Sequence, residues 1–174
     1  NLPNDPLSQI YNKRFFAQFR AYGDAYPALA RAISAYVPKD ASIVDVGCGH
    51  GFLVEALRTS GYAYSYGVEG STSGAEMWPL QYKDTFYKIQ DLTAKDAARA
   101  IPVTDYVSTF EVAEHLPPTH AQHFVRVLTE HRPRLVFFGA ATSFQDQGRN
   151  PGHLNEQPIA YWVRHFEKEG YALD

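Results

Sequence analysis

Residues 43–51 read Ile-Val-Asp-Val-Gly-Cys-Gly-His-Gly. Ile43, Val44 and Val46 are β-branched and predict a strand, with one acid, Asp45, inside it. The strand runs into Gly47, Gly49 and Gly51. Such a turn lets backbone approach a ligand closely, because glycine has no Cβ and tolerates positive φ. Phe52 to Arg58 then reads as a helix. A ligand's negative group can sit at that helix start on free N–H groups. Strand, glycine turn and helix together point to a nucleotide-like cofactor.

Working outward, the same alternation recurs. Asp24 is placed to cap a helix whose Leu29, Ala32, Ile33 and Tyr36 form an i, i+3, i+4, i+7 stripe. Strands are predicted over 42–46, 63–68, 85–89, 105–110 and 134–140. Thr93 and Asp96 have capping-box-like spacing and open a short helix to Ala100. A helix over 119–131 turns Phe124, Val125 and Leu128 inward. A polar loop covers 142–156. A helix from Ile159 to Glu169 ends at Gly170, and Tyr171 begins a further strand. Strands alternating with helices predict an α/β, Rossmann-like, mostly parallel sheet with helices on both faces. The expected organisation is one domain over 1–174: a helical cap or lid over 1–38 and a cofactor-binding core over 42–174. The last β-hairpin is expected to be truncated.

The bulk numbers narrow the function. The chain has 174 residues, enough for a substantial core. Its formal net charge of −3 gives no support to a large phosphate-binding face, so nucleic acid is not the expected partner. The single cysteine, Cys48, excludes an intrachain disulfide and suits a reducing compartment. No apolar run approaches a membrane span, and the opening Asn-Leu-Pro-Asn-Asp-Pro is no signal peptide, so the expected location is cytoplasmic.

The acids decide which cofactor. A dinucleotide turn wants Gly-x-Gly-x-x-Gly, but the third position here is Phe52. Asp45, two residues ahead of Gly47, would repel a pyrophosphate and attract a cationic amino-acid moiety. Glu69 lies 24 residues beyond Asp45, close to the spacing at which an acid meets a ribose. Its two oxygens can accept from both ribose hydroxyls. Asp91 closes the next strand, within reach of an adenine amino group, and Phe110-Glu111 closes the fourth.

With these residues the chain resembles class I S-adenosylmethionine-dependent methyltransferases over about Tyr11 to Tyr171. The resemblance implies that Asp45, Gly47 and Gly49 cradle the methionine end and that Glu69 holds the ribose. It also implies Gly70, Asp91 and Leu92 around adenine, and Phe110 near the methionine moiety.

A second constellation follows in Glu111-Val112-Ala113-Glu114-His115. On one helical turn, Glu111, Glu114 and His115 share a face at i, i+3 and i+4. Two carboxylates and an imidazole are a partial site for Mn, Fe, Co or Zn, while carboxylates alone suit Mg. His153, in Gly-His-Leu-Asn-Glu-Gln after strand five, is the candidate fourth ligand. The Glu-x-x-Glu-His triplet resembles that of metal-dependent O-methyltransferases, including those of the ubiquinone pathway and those that modify small-RNA 2′-hydroxyls. The segment around His153 and Tyr161-Trp162 is similar to bacterial methyltransferases acting on sugar hydroxyls. A metal-free alternative makes His115 or His153 a general base. His50 either lines the cofactor pocket or faces solvent, and His120 and His123 read as surface residues. Tyr11 to Phe16 reads either as an aromatic lid over the cofactor or as a packed amphipathic helix. The expected activity is O-methylation of a small-molecule acceptor, a sugar or related polyhydroxyl. Rival readings are an RNA 2′-O-methyltransferase and an inactive cofactor-binding partner subunit or fragment.

Overall fold

The computed structural model describes residues 11–15, 25–76, 78, 86–143, 145 and 149–174. Asp24 and Phe16, invoked above, lie outside the described residues, as do position 85 of the third predicted strand and positions 144 and 146–148 of the polar loop. The elements run in order α1 (Ala25–Ile33), β1 (Ile43–Val46), α2 (Phe52–Thr59), β2 (Ser65–Glu69), α3 (Thr72–Ala75), β3 (Tyr87–Ile89), α4 (Ala97–Ala100), β4 (Tyr106–Phe110), α5 (Ala121–Thr129), β5 (Leu135–Gly139) and α6 (Ile159–Lys168). Two short 3₁₀ turns, Ala113–His115 and Pro118–His120, lie between β4 and α5.

The sheet has five parallel strands in the order β3-β2-β1-β4-β5. Successive side chains alternate faces along a strand, and the core follows that alternation. Ile43, Tyr106, Leu135 and Phe137 pack with Ile33, Leu53, Leu57 and Tyr62 on one face. Val44, Val46, Val107, Val136 and Phe138 pack with Ala97, Phe124, Val125, Leu128 and Trp162 on the other. Both faces are therefore covered, as parallel sheets require. The order reverses between β1 and β4. In such sheets ligands bind outside the carboxyl ends of the strands, at the switch point.

Three local expectations change. The segment from Tyr171 is not a strand: its N–H donates to Phe166 O at 3.0 Å, closing α6 beyond the left-handed Gly170 (φ 84°). The Asp96 side chain makes no capping bond on α4, and Thr93 instead binds Asp91. Glu111 is not on a helical turn. Its φ of 56° is left-handed, so the backbone turns sharply after β4 before the 3₁₀ turn begins. No described helix is long and apolar enough to cross a membrane.

Candidate active site

The glycine turn joins β1 to α2 against the end of β2. The N–H groups of Gly47 and Cys48 both donate to Val68 O, at 2.7 and 3.0 Å. Gly47 has φ 79°, and a Cβ there would fall 2.3 Å from Val112 Cγ2. Only glycine fits, because the side chain after β4 lies directly over the turn. Glu69 stitches the turn to the next loop: Oε2 accepts from Gly49 N and Oε1 from Ser71 N, each at 2.7 Å. Trp78 Nε1 donates to Gly49 O at 2.8 Å.

Asp45 and Glu69 are both buried. Asp45 sits opposite Ser108 in the β1–β4 register, and Ser108 Oγ donates to its Oδ1 at 2.8 Å. Burial pushes the Asp45 carboxyl up to about 7; the Ser108 bond offsets part of this and the Glu69 charge adds to it. Burial also raises Glu69, outweighing the N–H groups of Ser71 and Gly49. Two buried acids beside a glycine turn favour a cationic ligand, whose charge would return both to the ionised form.

Of the other predicted cofactor residues, Gly70 borders the loop after β2, half-buried. Phe110, at the end of β4, is half-buried and packs against Gly139. Asp91 is exposed, and its Oδ1 accepts from Thr93 N and Oγ1 at 2.8 and 2.7 Å. Leu92 belongs to the core beside Val68. His50 is buried, its ring 5.1 Å from Phe52, and does not face solvent.

The second constellation assembles across two loops. Among the described residues, Glu114, His115 and His153 bring one ligand atom each within 4.8 Å of one another, a set able to hold a metal ion. Glu111 is outside this set. It is exposed, and its Oε2 accepts from Gln145 Nε2 at 3.2 Å. The left-handed backbone at Glu111 breaks the helical spacing, yet its side chain stays beside Glu114, whose carboxyl it pushes up. Glu114 is fully buried, and neither carboxylate oxygen has a hydrogen-bond partner. Burial pushes its carboxyl up to about 8, partly offset by the N–H groups of Glu114 and Ala141 and reinforced by the charge and side chain of Glu111. Ionising a buried carboxyl without a close partner is costly; a cation between it and two imidazoles would remove that cost. The residues thus fit a divalent ion. One carboxylate with two imidazoles suits Mn, Fe, Co or Zn better than Mg.

His115 Nδ1 lies 3.0 Å from Gly152 O and 2.7 Å from Tyr11 Oη. A carbonyl only accepts, so the Gly152 contact is a hydrogen bond in the Nδ1–H tautomer, whereas the Tyr11 hydroxyl can pair with either tautomer. Burial lowers the His115 pKa, with the neighbouring His153 contributing and the Gly152 carbonyl opposing. The imidazole is therefore held neutral. The rings of His115 and His153 are 4.9 Å apart, edge to face.

Ser108, Val112 and Trp78 support the turn, and no motif marks them. Tyr11 was legible as an aromatic near the start. Beyond its His115 contact, its carbonyl accepts from Ser71 Oγ at 3.0 Å, so it spans the loops after β2 and β4. His123 is not a bare surface residue: it reaches Ala94 O at 3.0 Å. A separate groove of about 300 Å³ on α2, lined by Tyr26, Phe52 and Glu55 among others, contains none of these site residues.

The chain matches a family model described as a methyltransferase domain over residues 16–172. Among solved structures it is similar to a SAM-dependent methyltransferase from Archaeoglobus fulgidus, with 18% identity, 90% of this chain and 72% of that one covered, and a TM-score of 0.71. Magnesium protoporphyrin IX methyltransferase from Synechocystis PCC 6803 shares 18% identity over 88% of this chain and 74% of its own, with a TM-score of 0.66. The methyltransferase domain of bacterial CtHen1-C shares 21% identity over 85% and 84%, with a TM-score of 0.62. No curated protein sequence matches significantly. At these identities the structural likenesses establish a shared fold. The family match covers nearly the whole chain, glycine turn and strand-end acids included, and the chain belongs to the methyltransferase-domain family.

Proposed function

We propose that this chain transfers a methyl group from S-adenosylmethionine to a hydroxyl of a small molecule, a sugar or related polyhydroxyl, with a divalent metal at Glu114, His115 and His153. The observation that carries the reading is Glu114: a fully buried carboxylate with two unpartnered oxygens, grouped with two imidazoles. A fold that needed only a cofactor pocket would not keep such a group there. The donor is supported by Asp45 and Glu69, the buried acids flanking the turn.

Bound S-adenosylmethionine supplies an activated methyl group, so the protein's task is alignment and exclusion of water. Asp45 offers charge to the methionine ammonium, and Glu69 lone pairs to the ribose. Val112 lies over Gly47, and Phe110 ends β4 beside Gly139. A neutral hydroxyl is a poor nucleophile, and a divalent ion at the three ligands supplies Lewis acidity that lowers its pKa. As the O–C bond forms and the C–S bond breaks, the hydroxyl proton leaves to water, because the lone pairs of His115 and His153 would be held by the ion; only without the ion is an imidazole the acceptor. The polar loop with Arg149 and Asn150, ahead of His153, offers hydrogen bonds to a polyhydroxyl acceptor.

The experiment is methyl transfer from isotopically labelled donor to a panel of sugars, polyols and RNA, before and after chelation. The reading expects transfer to a polyol, loss of at least tenfold on chelation, and recovery on metal add-back. Full activity in a metal-stripped sample overturns the metal component. Transfer to RNA alone overturns the acceptor class.

A further inference from the structure

Glu156, three residues after His153, has no role in the reaction as described so far. His153 Nδ1 lies 2.8 Å from Glu156 Oε1, and the two side chains are only 9% and 14% exposed. The backbone also anchors the loop, with Leu154 N and Asn155 N donating to Glu114 O at 2.7 and 2.9 Å and His153 N to Asn150 O at 3.1 Å. The Glu156 carboxylate meets the imidazole directly at Nδ1. An ionised carboxylate only accepts, so Nδ1 carries the proton and Nε2 the lone pair. The Gly152 carbonyl favours the same tautomer on His115. Two loops thus bring two imidazoles together beside the buried Glu114.

We propose that Glu156 is a positioning residue: it fixes His153 in the Nδ1–H tautomer, presenting Nε2 to the group formed with Glu114 and His115. Ligating histidines characteristically donate their other ring N–H to a carboxylate or carbonyl, and loss of that partner weakens metal affinity about 10–100-fold. The inference rests on the metal reading above only for its consequence, not for the tautomer itself.

The test uses the full chain, metal-free and ¹⁵N-labelled at histidine, at a pH above the imidazole range. Two-bond ¹⁵N–¹H correlation reads the tautomer, with His153→Gln identifying the signals. Wild-type His153 is expected as Nδ1–H, and Glu156→Ala as a mixture shifted to Nε2–H. Glu156→Gln keeps an acceptor oxygen and is expected to restore the Nδ1–H form, which a merely structural role would not predict. An unchanged tautomer in Glu156→Ala overturns the proposal. Glu156→Met keeps the volume without the acceptor and replaces the alanine variant if that one does not fold. Co²⁺ titration followed by visible absorption gives the second readout: about 10–100-fold weaker binding in Glu156→Ala is expected, and equal affinity overturns the proposal. If the wild type takes no Co²⁺ while the tautomer shift stands, the metal reading fails and the positioning role is supported.

Discussion

A carboxylate buried in the middle of a parallel sheet is costly unless a cation meets it, and Asp45 is such a group. Its carboxyl is pushed up to about 7, burial being the main cause. The folded value lies above the unfolded one, so its contribution to stability is full only below about pH 4 and is lost as pH rises through about 7. Cofactor binding has the opposite sign, because only the ionised form attracts the methionine ammonium. The affinity for S-adenosylhomocysteine should therefore rise as pH increases through about 7. Asp45→Asn should bind roughly 10–100-fold more weakly, the size of a charged hydrogen bond, with a flattened pH dependence and a higher melting temperature without ligand. Calorimetry and thermal unfolding check these together, and pH-independent binding by the wild type would contradict them. Asp45 and Glu69 were legible because an acid stands out in an apolar strand or at its end. Asp91 stands at the next strand end in the same way; its spacing did not show that its Oδ1 also closes a turn with Thr93, just as that of Glu69 did not show its bonds to Gly49 N and Ser71 N.

At the scale of elements, the turn after β1 and the turn after β4 are built against each other. Val112 lies on Gly47, and the left-handed Glu111 puts it there. Gly47→Ala should cost at least about 2 kcal/mol, because the left-handed backbone alone costs an L-residue roughly 1–2 kcal/mol and the Val112 contact adds to it. Adding Val112→Ala should recover the contact part and not the backbone part, and chemical denaturation of the two variants measures the split. If the double variant were no more stable than the single one, Val112 would not be the constraint. The β4 turn was the least legible element. Helical spacing predicted Glu111, Glu114 and His115 on one face, but one residue at positive φ ended that periodicity. Glu114 and His115 still reached the site because the 3₁₀ turn begins after the break.

Over the whole molecule, alternating strand and helix signals were enough to foresee a parallel sheet covered on both faces. They did not resolve Tyr171, whose N–H caps α6 and whose hydroxyl donates to Pro133 O at 2.7 Å. Gly170 signals the end of that helix, but the aromatic after it fits a strand start as well as a residue folded back on the last turn. Nor could spacing show that the loop after β5 folds back on Glu114, because a pair of backbone bonds to Glu114 O makes that connection. The consequence is an arrangement at one sheet edge. The glycine turn and its acids lie at β1 and β2, and Glu114, His115 and His153 gather from the loops after β4 and β5. The most direct measurement is a crystal structure with S-adenosylhomocysteine and Mn²⁺, with anomalous scattering recorded for the metal. The account predicts the nucleoside on the Gly47–Gly51 turn with its ribose at Glu69, and one anomalous peak coordinated by Glu114, His115 and His153. A cofactor seated elsewhere, or a well-occupied cofactor with no peak at those three residues, would contradict it.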